Sequence, residues 1–176
     1  MDMAGDDLLY DELQNKSLKR RNLMTKKNAN TKTTKQPSKR YPGLKSLDRL
    51  VGTWKVSGDA QGQVRFEWME GGFFLMQHVD LKQGGQKVKG IEIIGYDRGF
   101  GVTKPSKNIK SHWFDNLGDT FEYTYEVNNK TLTIWGGEKG SPAYYKGKWS
   151  NDGKTNIGAW HYPGGGGYEA TMIRVK

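Results

Sequence analysis

From Tyr41 onward the chain consists of short runs in which apolar and polar residues alternate, and glycine-rich turns separate the runs. Val64, Phe66 and Trp68 alternate with Arg65, Glu67 and Met69. Phe121, Tyr123, Tyr125 and Val127 alternate with Glu122, Thr124 and Glu126. A period of two is the period of a strand with one face buried. Runs over 73–81, 88–96, 109–115, 143–149, 156–162 and 168–175, with those through Trp54 and Leu132–Ile134, bring the count to about ten strands. Gly71-Gly72, Gly84-Gly85, Asn128-Asn129 and Asn151-Asp152-Gly153 read as turns, the Asn pair as a two-residue hairpin.

Parallel strands need crossovers of about a dozen residues or more, usually helical, and the connections leave no room for them. The sheet is therefore antiparallel and up-and-down. A long sheet with one apolar face loses its exposed edges by closing on itself. The predicted fold is all-β, a closed up-and-down antiparallel β-barrel of about ten strands. Before it, Leu44, Leu47, Leu50 and Val51 recur at helical spacing, which predicts a two-turn helix over 44–51 capped by Gly52.

Charge sets the first 42 residues apart. The chain carries 28 Lys and Arg against 19 Asp and Glu, a net charge of +9. Residues 13–40 hold ten of the basic residues and no acid. Residues 25–40 contain no aromatic side chain and no aliphatic one larger than Ala29, too little apolar surface to offset the entropy of ordering them. Residues 1–42 are expected to be a disordered basic tail and 43–176 the barrel. Residues 13–40 are then a candidate contact for nucleic acid or another anionic surface, although the tail has no aromatic group between Asp11 and Arg40 to stack on bases. Met24 offers a second start, so residues 1–23 are a candidate upstream extension. The acidic beginning is not followed by an apolar run of the ~7–15 residues a secretory signal needs, and no stretch approaches a membrane span. With no cysteine in the chain, disulfides and thiolate chemistry are excluded, and a cytoplasmic location is expected.

Gly52-Thr53-Trp54 resembles the Gly-x-Trp signature of the calycin superfamily, which includes lipocalins, fatty-acid-binding proteins and nitrobindins. The resemblance implies a Trp at the closed end of a barrel, covered by an Arg from a late strand. Arg174 matches that role, and a guanidinium over an indole is a favourable cation–π contact. Leu50-Val51-Gly52-Thr53-Trp54, Met69-Glu70-Gly71-Gly72-Phe73-Phe74-Leu75, Gly95-Tyr96-Asp97 and Phe114-Asp115-Asn116-Leu117-Gly118 are similar, in that order, to a bacterial calycin-like family of unknown function, DUF1579. The likeness spans 44–176. Nitrobindins bind haem through one His, but Lys55-Val56-Ser57-Gly58-Asp59 departs from their opening motif. No cofactor is predicted, and His161 is the residue to which a haem iron would fall.

Phe66, Trp68, Trp113, Tyr123 and Tyr125, with Trp135, Tyr145 and Trp149, either line an apolar cavity or fill a solid barrel core. His78 and His161 are candidate polar anchors for a ligand, and His112 is the third histidine. Glu67 and Glu122 fall on the phase opposite the aromatic face and are expected in solvent. Glu92 interrupts Gly90-Ile91-Glu92-Ile93-Ile94, a strand apolar on both phases, and is the carboxylate to watch. Trp54 and Arg174 are assigned to barrel closure. No local metal-ligand spacing, nucleophile elbow or helix-opening phosphate loop is present. The leading expectation is a barrel that binds a small apolar or aromatic ligand. The alternatives are a barrel enzyme with His161 and Glu92 as an acid–base pair, and a scaffold whose basic tail binds nucleic acid.

Overall fold

The computed structural model describes residues 40–176. The expected tail lies outside them apart from its last three residues, which pack on the barrel. Arg40 pairs bidentately with Asp48 at 2.8 Å, and its guanidinium lies 4.6 Å over the Trp68 ring. Tyr41 meets Phe73 and Tyr96 edge to face.

Ten strands follow: β1 (Gly52–Gly58), β2 (Ala60–Trp68), β3 (Phe74–Gln83), β4 (Gln86–Gly95), β5 (Ile109–Asp115), β6 (Thr120–Val127), β7 (Thr131–Gly136), β8 (Tyr144–Trp149), β9 (Thr155–His161) and β10 (Gly167–Arg174). Each pairs antiparallel with its neighbours in sequence, and β10 pairs with β1, so the sheet is a closed barrel without edges. The register carries one residue of every strand inward at each level. Phe66, Gln77, Glu92, Trp113 and Phe121 follow one another across β2 to β6.

The segment before β1 is a 3-10 helix, Pro42–Arg49, rather than the two-turn α-helix that the leucine spacing predicts. Pro42 opens it, and Leu50 in right-handed helical conformation closes it. Gly52 is not its cap. It opens β1 at φ +121°, where its Cα faces the Lys176 carbonyl too closely for a side chain. The tighter helix still turns Leu44, Leu47 and Leu50 into full burial against Trp54. At ~2 kcal/mol for each buried leucine, this plug contributes substantially to the fold. The hairpin between β6 and β7 is displaced by one residue from its expected place. Asn128 flanks the turn and its Oδ1 accepts from the amides of Lys130 and Thr131 at 2.9 and 2.8 Å.

The plugged end is fastened by Trp54 and Arg174, which are paired residues of β1 and β10. Trp54 is fully buried, and its Nε1 donates to the Leu50 carbonyl at 2.6 Å. The Arg174 guanidinium lies 4.3 Å over the indole and donates to the carbonyls of Val51 and Arg49. One side chain thus joins the last strand, the first strand and the end of the helix. Arg174→Ala removes the cation–π contact and leaves two carbonyls without their donor. We expect it to cost ~2–4 kcal/mol in urea unfolding, and Arg174→Lys to restore less than half. An effect below ~0.5 kcal/mol contradicts this role.

Candidate functional site

Away from the plug the barrel is hollow. A cavity of about 560 Å³ runs from Leu50 at its floor to a mouth formed by Leu117, Asp119, Phe121 and Tyr162. Leu117, Phe121 and Tyr162 are each nearly half exposed, so the rim is apolar and open. The wall carries Phe66, Trp113, Tyr123, Tyr125, Tyr145, Trp160 and Tyr168 among aliphatic side chains. The ring of Trp160 contacts those of Tyr123, Tyr145 and Tyr168 at 5.8, 5.9 and 6.4 Å, which makes one aromatic wall from β6, β8, β9 and β10.

Glycines create part of the room. A Cβ on Gly90 would stand 2.5 Å from the Trp113 ring, so this indole lies flat across β4 only because residue 90 has no side chain. Gly147 and Gly158 face each other across β8 and β9. A Cβ on either would stand 2.6 or 2.7 Å from the Tyr145 hydroxyl, which donates to the fully buried Asn156 at 2.7 Å.

Glu92 is the one charged side chain of the described residues that is buried in this wall, at 4 % exposure. The Ser111 hydroxyl donates to its Oε1 at 2.5 Å. The Tyr125 hydroxyl donates to Oε1 at 2.9 Å and Oε2 at 3.0 Å. Burial raises the Glu92 carboxyl from the ordinary 4.5 to about 7, against the two hydroxyl donors, which pull it down. The Tyr123 hydroxyl is raised above its usual range, first by burial and then by the Glu92 charge beside it. Toward the mouth, Trp113 Nε1 donates to Asp115 at 2.9 Å, and the amides of Leu117 and Asp119 donate to the same carboxylate at 2.9 and 3.0 Å. These bonds, that from Trp113 first, hold Asp115 below the usual carboxylate range and therefore ionised at neutral pH.

Phe66, Glu92, Trp113, Tyr123 and Tyr125 thus meet in one cavity, as does Tyr145. The other named candidates lie elsewhere. Trp68 sits at the plugged end, where its Nε1 donates to Asp48 at 2.9 Å. His78 falls on the outward phase of β3, 3.0 Å from Glu67 on the outer face. His161 ends β9 on the outward phase, exposed, with its ring 4.8 Å from that of Tyr144. It is therefore not brought to Glu92 as an acid–base partner, nor to the cavity in which a haem would sit. His112 is also outside, at 3.1 Å from Asp97. Trp135 and Trp149 do not line the cavity either. Trp149 packs 5.8 Å from Trp54 in the plug.

Ser111, Gln77, Asp115 and Trp160 line or support the site without having been singled out. Ser111 shares a strand phase with the expected lining residue Trp113, and that phase was the available signal, whereas Gln77 lies on the phase opposite His78, the residue of β3 expected to face the ligand. Among the described residues, no group of three or more His, Asp or Glu side chains is placed to hold a metal ion.

The buried carboxyl makes stability depend on pH. Between pH 4.5 and about 7 the folded protein holds a proton that the unfolded chain releases. The stability linked to this group is fully present below pH 4.5 and is lost as pH rises through about 7, by ~3 kcal/mol in all. Glu92→Gln is expected to flatten this loss and to unfold at higher denaturant than the parent chain at about pH 8. A variant less stable than the parent there, with the pH dependence intact, contradicts the assignment.

No protein-family model matches the chain, and no curated protein matches it. The cavity and its buried carboxyl are the features from which function can be read.

Proposed function

We propose that the protein binds a small, mainly apolar or aromatic molecule inside its barrel. The observation that carries this reading is the open cavity of about 560 Å³, walled by aromatic rings and holding one buried hydrogen-bonded carboxyl. Pockets for small ligands have this make-up: an apolar wall for affinity and a few placed polar groups for orientation. A packed core would have no reason to leave its apolar mouth open, since exposed Leu117, Phe121 and Tyr162 forgo burial that a ligand would restore.

The pairing of Trp54 with Arg174 supports a calycin-like relationship as part of this proposal, while the DUF1579 resemblance rests on the sequence motifs alone. The absence of cysteine favours a cytoplasmic setting, and among the described residues no helix is long and apolar enough to cross a membrane. Of residues 13–40, the candidate contact for nucleic acid, all but Arg40 lie outside the described residues, and Arg40 is engaged by Asp48 and Trp68. An enzymatic role with His161 and Glu92 as partners has no support in their placement on opposite faces of the sheet.

Nile red, a neutral aromatic dye of about 25 heavy atoms, tests the reading with the full chain. At ~0.3 kcal/mol per heavy atom the cavity should hold it with a micromolar Kd. We expect saturable one-to-one binding with a blue-shifted emission. Gln77→Trp, which fills the cavity, should abolish it. Phe114→Ser, which removes an exposed apolar group from the outer face, should leave it intact. Binding that survives the first substitution and disappears with the second contradicts the proposal.

A further inference from the structure

The charges of this chain are sorted between its surface and its interior. The protein is basic, at +9, yet among the described residues that line the cavity there is no Lys, Arg or His. The lining carries three carboxyls instead: Glu92 in the wall, and Asp115 and Asp119 toward the mouth. We propose that the ligand is an organic cation, an apolar or aromatic amine whose ammonium group meets Glu92 while its hydrocarbon part lies against Phe66, Trp113, Tyr123 and Trp160. This inference rests on the cavity-binding reading above and names the chemical class of its ligand.

Three physical points support it. First, a carboxylate can accept about four hydrogen bonds. Ser111 and Tyr125 supply two donors, and the Tyr125 hydroxyl is shared between both oxygens, so acceptor capacity is left for a ligand. Second, the desolvation of Glu92 is already incurred when the protein folds. An incoming ammonium adds only its own desolvation and gains a partner held at fixed geometry in a site of low polarity. Third, an anionic ligand such as a fatty acid would meet three carboxyls and no cation, a repulsion that selects against it. The aromatic wall adds ring faces on which a cation is also favoured.

The pH dependence follows from the groups that face Glu92. These are Gln77 from β3, Ser111 and Trp113 from β5, and Tyr123 and Tyr125 from β6, with Asp115 toward the mouth. Burial pushes both tyrosines far above neutrality, and Asp115 is already ionised. The histidines lie outside. Glu92 is then the group in this set that changes charge around pH 7. Amine affinity should rise as pH increases from about 6 to about 8 while the ammonium itself stays charged, and a bound amine should draw the Glu92 proton off.

The test uses three probes of one shape on the full chain: naphthylmethylamine, naphthylmethanol and naphthylacetate. Binding is followed by isothermal titration calorimetry. At about pH 8 the amine is expected to bind at least ~10-fold more tightly than the alcohol, and the acid more weakly than either. Glu92→Gln should bring amine and alcohol within about 2-fold of each other. Tyr125→Phe withdraws one donor from Glu92, raises its pKa further, and should move the onset of amine binding to higher pH; it serves as the second variant if Glu92→Gln does not fold. An alcohol that binds as tightly as the amine, or an amine preference that survives Glu92→Gln, overturns the inference and leaves the cavity reading standing. Failure of all three probes to bind overturns both.

Discussion

Everything else in this molecule follows from closure of the sheet. Once β10 pairs with β1, the barrel has an inside whose volume is set by strand number and tilt rather than by the side chains available to fill it. The first and last strands meet at that seam, and Arg174 over Trp54 fastens them to the helix that plugs one end. Leu44, Leu47, Leu50, Trp54 and Trp149 fill that end. The other half receives rings from β5, β6, β8, β9 and β10 that lie along the wall and leave space between them. The contrast between a filled half and an open half is what makes a binding role the most economical account of the interior.

Within the open half, Glu92 sets the chemistry. A carboxyl in an apolar wall costs stability, and two hydroxyl donors only partly offset that cost, as its elevated pKa shows. Elsewhere on its inward face β4 carries Val88 and Ile94, and an aliphatic residue at 92 with apolar partners in place of Ser111 and Tyr125 would fill the same wall without a buried carboxyl. A polar group kept at such a cost, inside a cavity and next to open volume, is better explained by what it meets there than by the fold. The two aspartates nearer the mouth extend the same sign of charge outward, opposite to that of the whole chain, and give an approaching cation a favourable path.

The alternation of residues was enough to read the architecture. It placed most strands within two residues, as with β5 at Ile109–Asp115 and β8 at Tyr144–Trp149, and it made Glu92 stand out as the acid on a strand apolar on both phases. Phase also put Glu67 and Glu122 outside correctly, since both lie on the outer face. What alternation does not encode is depth. Trp68 shares the inward phase with Phe66, yet two residues carry it from the cavity to the plug, where it meets Asp48. His161 is one residue from Trp160 and therefore on the opposite face, so its aromatic neighbours in sequence are not its neighbours in space. The phase shared with Trp113 marks Ser111 as inward-facing, but its bond to Glu92 comes from β4 lying beside β5, a tertiary relation that no local pattern records. The helix type escaped for a similar reason. Leucines at 44, 47 and 50 are spaced by three, which suits a 3-10 turn as well as an α-helical one, and packing decided between them.

The most direct measurement is carbon NMR of the Glu92 side-chain carboxyl in the full chain, followed through a pH titration with and without a cavity probe. The account predicts a titration near about 7 in the free protein and a displaced one when naphthylmethylamine occupies the barrel. A carboxyl that titrates at the ordinary 4.5, or one that responds to no probe at any concentration, would contradict a buried acid facing an accessible cavity.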